Sequence, residues 1–91
     1  MKKLLSAQIN KMNRNEIFKH VNEVFVDVLD DGNIVLSEET TANDVDDWDS
    51  LNHIQLVVAI EKLFKIRFSS KEIQSWNNVG EMINSILEKR A

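Results

Sequence analysis

The chain has no cysteine, no proline and only two glycines. Without cysteine, disulfides and thiolate-bound metal centres are excluded. The two histidines, His20 and His53, stand far apart, so a zinc site would have to lean on carboxylates. The shortage of proline and glycine disfavours a turn-rich β fold and favours helices. No apolar run is long enough to span a membrane. Met1-Lys2-Lys3-Leu4-Leu5-Ser6-Ala7 imitates the start of a signal peptide, but the apolar stretch ends after two leucines. Clustered bases are missing too. The net charge is −4, which argues against nucleic acid as a partner. Ninety-one residues make one small domain with a modest core and little room for an enclosed catalytic pocket. These features predict a soluble, cytoplasmic, monomeric protein.

What is present is organised around Asp49-Ser50-Leu51 and the apolar run after it. Asp49 and Ser50 are both good helix caps, and they directly precede a long helical pattern, predicting a helix from Ser50 to Phe64. Ser50 then places a hydroxyl at the positive end of a helix dipole, beside unpaired backbone N–H groups, where an attached anion is well held. At about 100° per residue, Leu56, Val57, Ile60, Leu63 and Phe64 share one apolar face. Leu51, Ile54 and Val58 form a second apolar edge, which is either core or a surface offered to something bound at Ser50. Asn52, Gln55, Ala59 and Lys62 make the polar stripe.

The first helix is predicted from Asn15, its cap, to Leu29, with Ile17, Val21, Val24, Phe25, Val28 and Leu29 inward. Residues 1–14 form an extension: a frayed arm, or an extra turn carrying Leu5, Ile9 and Met12, or a segment ahead of a native start at Met12. Asp30-Asp31-Gly32-Asn33 breaks the first helix. A long connection follows. In it Ile34, Val35 and Leu36 tuck back to the core, and Thr41-Ala42-Asn43-Asp44 makes a single helical turn. From Glu38 to Asp49 there are six acids and no base. They are either a solvated loop or an electrostatic collar that attracts basic surfaces to Ser50. Trp48 anchors this loop to the bundle. Lys65-Ile66-Arg67-Phe68 is a short connector, and Ser69 with Glu72 forms a capping box that opens a third helix ending near Ser75. Ile73 faces inward and Trp76 plugs the bundle end. Asn78 and Glu81 offer a second capping box, and Val79, Met82, Ile83, Ile86 and Leu87 line the last helix. The sum is an all-α fold, a small four-helix bundle of three longer helices and one short.

The Asp-Ser-Leu tripeptide opening an apolar helix, after an acidic loop in a small acidic chain, resembles the modification site of acyl carrier proteins. The helix order over roughly residues 15–90 is similar to theirs, including the long loop after the first helix. The resemblance divides the chain into an extension, 1–14, and a carrier domain, 15–91. It implies a 4′-phosphopantetheine arm joined to Ser50 through a phosphodiester, taken from coenzyme A, with acyl groups carried on its thiol. Asp49 and Leu51 complete that site. Asn52, His53, Ile54 and Val58 become candidates for contact with the arm or with partners. The partners implied are a phosphopantetheinyl transferase and acyl-activating, acyltransferase or synthase enzymes of fatty acid or polyketide synthesis. An acyl group slipping between the helices is a further possibility if the core opens. Two departures stand out. The exposed stripe of the Ser50 helix is largely neutral where the family is usually acidic, and Trp48 replaces a common glycine. Both favour a dedicated carrier in a specialised pathway over one serving housekeeping fatty-acid enzymes.

Other readings remain. The cargo is acyl, hydroxyacyl, or aminoacyl as in a peptidyl carrier, and an unmodified helical adaptor has the same pattern. Ser50 alone is compatible with a simple cap. Ser50, His53 and Asp49 spell a hydrolytic set, but three neighbours at one helix start cannot align nucleophile, base and orienter, and no strained elbow surrounds the serine. His53 is expected as an exposed polar side chain, or else as a partner for the arm's phosphate when protonated. Asp27, Asp31, Gly32, Ile34 and Glu38 fall on the first, fifth, sixth, eighth and twelfth places of a calcium loop, but Leu29 takes the third and cannot be a ligand.

Overall fold

A computed structural model describes residues 13–90. The expectations for residues 1–12 lie outside the described residues. Four α-helices follow in order: α1 Arg14–Leu29, α2 Ser50–Phe64, α3 Ser70–Ser75 and α4 Val79–Arg90, with a 3₁₀ turn at Ala42–Asp44 inside the long loop. No strand occurs among the described residues.

Helix α1 starts earlier than its apolar pattern signals. Asn13, not Asn15, caps it: its side chain accepts the Glu16 N–H, and Glu16 reaches back to the Asn13 N–H. This reciprocal box satisfies two of the N–H groups a helix start leaves open. The helix ends without glycine. Asp30 turns left-handed at φ 51°, and its N–H bonds to Val26 O. Gly32 keeps ordinary backbone angles. Lys65 ends α2 in the same left-handed way.

Helix α1 packs against both α2 and α4. Ile17, Val21, Phe25 and Leu29 meet Leu56, Ile60 and Phe64 of α2 and Val79, Met82, Ile83 and Ile86 of α4, all buried. Leu36 and Trp48 of the loop complete this core. Three expected core positions fall outside it, the first being Ile73, which is half-buried on one side of α3 and not part of the core. Leu63 is 48% exposed, because it lies at the rim of the buried arc of α2, near the helix end. Val35 is 89% exposed, because the extended segment 34–36 alternates faces, so only its outer two residues turn inward.

Side chains hold the long loop at fixed points. Asn22 accepts the Leu36 N–H and donates to Ile34 O. Val79 and Gly80 donate their N–H groups to Thr40 O and Glu38 O. Arg14 clamps Glu38 with two nitrogens, at 2.8 and 2.7 Å, and reaches Asn84 and Gly80 O of α4. A Cβ on Gly80 would stand 3.0 Å from Glu38 O, so glycine is what lets the loop approach α4. The calcium-loop residues are engaged differently: Asp31 accepts the Asn33 N–H, and both Glu38 oxygens face Arg14.

Hydrogen bonding to Arg14, with its charge adding, holds the Glu38 carboxyl below the usual glutamate range. Glu72 is lowered too, first by the Ser69 N–H and then by Lys89 of α4. A carboxyl depressed in the fold stabilises it above the unfolded value and loses that contribution as pH falls. The thermal midpoint is therefore expected to drop as pH falls through about 4.3 and below. Glu38→Gln and Glu72→Gln together should flatten that part of a pH–melting profile. An unchanged profile would remove both groups from the account.

Candidate functional site

Ser50 is the first residue of α2 and is exposed. The capping is done by its neighbour. Asp49 sits in extended conformation, its carboxylate accepts the Asn52 N–H at 2.8 Å, and its carbonyl accepts the His53 N–H. Asn52 donates its amide to Asp47 O at 2.7 Å, fixing the acidic loop to the helix start. The Ser50 hydroxyl has no hydrogen-bond partner among the described residues, and no protein acceptor there takes the Ser50 or Leu51 N–H. A free hydroxyl thus stands among open N–H groups at the positive end of a helix, with no structural task of its own.

Leu51, Ile54 and Val58 are 70%, 55% and 42% exposed. Their three- and four-residue spacing makes them one bare apolar stripe that starts beside Ser50. The second apolar edge is therefore surface, not core. Asp44, Asp46, Asp47 and Asp49, all exposed, precede the serine in the chain.

His53 departs from its expected exposure. It is half-buried between Trp48 and α3. The Trp48 indole N–H donates to His53 Nδ1 at 2.9 Å, and His53 Nε2 lies 3.3 Å from Ile73 O. An indole can only donate, so Nδ1 is the acceptor and Nε2 carries the hydrogen given to Ile73 O. Both ring nitrogens are occupied. No nitrogen remains to take a proton from Ser50, and the hydrolytic set fails on geometry as well as on spacing. Trp48 is buried as expected, with its ring edge-to-face on Phe25 at 4.9 Å. Trp48→Phe keeps most of the ring but removes the donor. It is expected to cost about 1 kcal/mol. It should also release His53 into a mixture of tautomers, visible in long-range ¹H–¹⁵N NMR of the imidazole.

Between the first turns of α2 and helix α3 lies an open groove of about 570 Å³. Ser50, His53 and Ile54 line one side, Ile73 and Gln74 the other, and Trp76 lies along it. Among the described residues no group of three or more acidic or histidine side chains converges as a metal site.

No family model matches the chain. It is 37% identical over 75 residues to an acyl carrier protein of Picosynechococcus sp., covering 81% of this chain and 91% of that one. An acyl carrier protein of Petrotoga mobilis is 28% identical over 78 residues, covering 86% and 92%. The solution NMR structure of the holo acyl carrier protein from Geobacter metallireducens superposes with a TM-score of 0.74 at 42% identity, covering 78% of this chain and 82% of that one.

Proposed function

The chain belongs to the acyl carrier protein family, and on that premise we propose that it carries acyl or related groups as thioesters on a 4′-phosphopantetheine arm attached to Ser50. One observation carries this reading most directly. The Ser50 hydroxyl is exposed and unengaged because Asp49 does the capping. The residues fit the arm: the hydroxyl is free for a phosphodiester, and open N–H groups and the helix dipole favour its negative charge.

Attachment is a transfer reaction performed by a separate transferase. Ser50 Oγ displaces adenosine 3′,5′-bisphosphate from coenzyme A at the phosphorus next to pantetheine, and its proton goes to a base of the transferase. The bound arm supplies the thiol that this cysteine-free chain lacks. The chain acts as a protein-bound substrate, not as an enzyme. Asp49 fixes the serine at the helix start and Leu51 opens the apolar stripe. Ile54 and Val58 extend that stripe as the surface that meets acyl-activating, acyltransferase or synthase enzymes. Asn52 and His53, already bonded to Asp47 O, Trp48 and Ile73 O, hold the ground on which the arm is attached. The exposed acids near Ser50 draw basic partner surfaces.

The neutral stripe of Asn52, Gln55 and Ala59, with Lys62 below it, supports a dedicated carrier in a specialised cytoplasmic pathway. No described helix is long and apolar enough to cross a membrane. The carrier is proposed to act as a monomer, with the bundle as the functional unit and the N-terminal residues as an extension.

The test is intact mass after incubation with coenzyme A, magnesium and a broad-specificity phosphopantetheinyl transferase. A gain of one phosphopantetheine is expected. No gain with a transferase active on a control carrier, and no arm on protein from the native host, would overturn the reading in favour of an unmodified adaptor.

A further inference from the structure

The far end of α2 holds a second hollow, of about 480 Å³, lined by Val58, Glu61, Lys62, Lys65, Ile66 and Arg67. Val58 is the last residue of the apolar stripe that starts beside Ser50, so the stripe runs into this hollow. Lys62, Lys65 and Arg67 are exposed, and none has an ion pair or a side-chain hydrogen bond among the described residues. Arg14 and Lys89, by contrast, are engaged with Glu38 and Glu72. Glu61 is the one acid in the lining, and its carboxylate accepts the Phe68 N–H at 2.8 Å. The dipole of α2 accounts for Lys62 in its last turn, but Lys65 ends the helix and Arg67 lies beyond it.

The connector that carries these cations is fixed. Lys65 and Ile66 both donate their N–H groups to Glu61 O, and Phe68 bonds the Glu61 side chain. Phe68 also meets Trp76 edge-to-face at 4.9 Å. That contact ends a row of five neighbouring rings, Phe25, Trp48, His53, Trp76 and Phe68, which links the connector to the loop before Ser50. The hollow therefore stands at a set distance from the serine, about 18 Å along one helix from Ser50 to Lys62.

We infer that this hollow is a docking site for acidic side chains of a partner protein, so that α2 meets its partner with acid at its start and base at its end. The inference rests on the carrier reading. To the basic surface drawn by the aspartates before Ser50 it adds an acidic one about 18 Å away. The Debye length is about 8 Å at physiological ionic strength, less than half that span, so neither end neutralises the other for an approaching partner. A partner docked the wrong way round would set like charges together at both ends, which gives the interface a direction. Val58 and Ile66 place apolar surface beside the cations, which suits a protein face of mixed acidic and apolar residues. An anionic lipid surface fits less well, since the chain has a net charge of −4 and α2 itself begins at an exposed aspartate.

The probes are two synthetic helical peptides with the same leucine face, one flanked by glutamates and one by glutamines. Each is titrated into ¹⁵N-labelled protein bearing its arm, with the mass confirming attachment. The glutamate peptide is expected to shift the amide signals of Val58, Lys62, Lys65 and Arg67 and to bind about tenfold more tightly than the glutamine one. That advantage should vanish in Lys65→Glu with Arg67→Glu, and in about 1 M salt, where the Debye length is about 3 Å. Both side chains are exposed and unbonded among the described residues, so the double variant should melt like the wild type. If it fails to fold, Lys65→Gly with Arg67→Gln replaces it, since glycine suits the left-handed turn at Lys65. Equal binding of the two peptides, or no shift at these residues, would overturn the inference. So would the same shifts from inorganic phosphate alone, which would leave a loose anion site. Binding to phosphatidylglycerol vesicles through these residues would assign the hollow to a membrane, and a dimer that the two substitutions dissolve would assign it to a second copy; either overturns the inference. A protein that takes up no phosphopantetheine overturns the carrier reading instead, and the peptides then still test the hollow on the unmodified chain.

Discussion

Ser50→Ala is expected to lose the whole phosphopantetheine mass gain, and with it all carrier activity, while melting close to the wild type. Both halves follow from which residue caps α2. Replacing a capping serine by alanine costs about 0.5–2 kcal/mol. Here the cap bond to Asn52 comes from Asp49, and the serine hydroxyl bonds nothing among the described residues. The stability change should therefore fall below that range, within about 0.5 kcal/mol, since alanine also has the higher helix propensity. Mass spectrometry reads the first half and thermal melting the second. A variant that melts well below the wild type would show that the hydroxyl has a structural role. A variant that still gains mass would place the arm on another residue.

Most of this arrangement is legible in the sequence because it rests on local rules. The Ser69–Glu72 box, the limits of α2 and α3, and the buried run of Val79, Met82, Ile83 and Ile86 depend on residues within two helical turns of each other. What escaped depends on contacts across the chain. Asn13 carries the cap of α1 because Arg14 is drawn towards Glu38 and α4, far along the sequence. At the start of α4, Asn78 caps Glu81 as expected, but the Glu81 carboxylate reaches the Asn77 N–H and not that of Asn78. His53 follows Asn52 in the first turn of α2 and reads as surface. Its burial is set by Trp48 before the helix and Ile73 beyond it. The ring row draws on positions 25, 48, 53, 68 and 76, which follow no helical or strand period, so no pattern in one dimension announces it. The apolar edge of α2 could be seen but not assigned, because periodicity shows that a face is apolar without showing what covers it.

The same long-range dependence makes Phe25→Ala the substitution with the largest expected loss of stability. Phe25 is fully buried at the middle of the core, packed edge-to-face on Trp48. Truncating a buried phenylalanine costs about 3–5 kcal/mol, from lost transfer energy and the cavity left behind. A domain of this size has a total of only about 5–15 kcal/mol. The melting midpoint should fall by about 4–8 °C for each kcal/mol lost, which puts the variant near unfolding at ordinary temperatures. The effect should reach the site before the fold is lost. Trp48 loses the ring it leans on, Trp48 holds His53, and both border the groove that begins at Ser50. In the fraction still folded, transfer of phosphopantetheine should slow and the Trp48 indole N–H should exchange faster with solvent. Leu51→Ala makes the opposite pair of effects. Its side chain is mostly exposed, so stability should hardly move while recognition by partner enzymes weakens. If Phe25→Ala melted like the wild type, Trp48 would be held by the loop alone and the row of rings would not act as one unit. If it is strongly destabilised while Leu51→Ala is not, the residues that build the ground under Ser50 and those that meet its partners form two separate sets on one short helix and the loop before it.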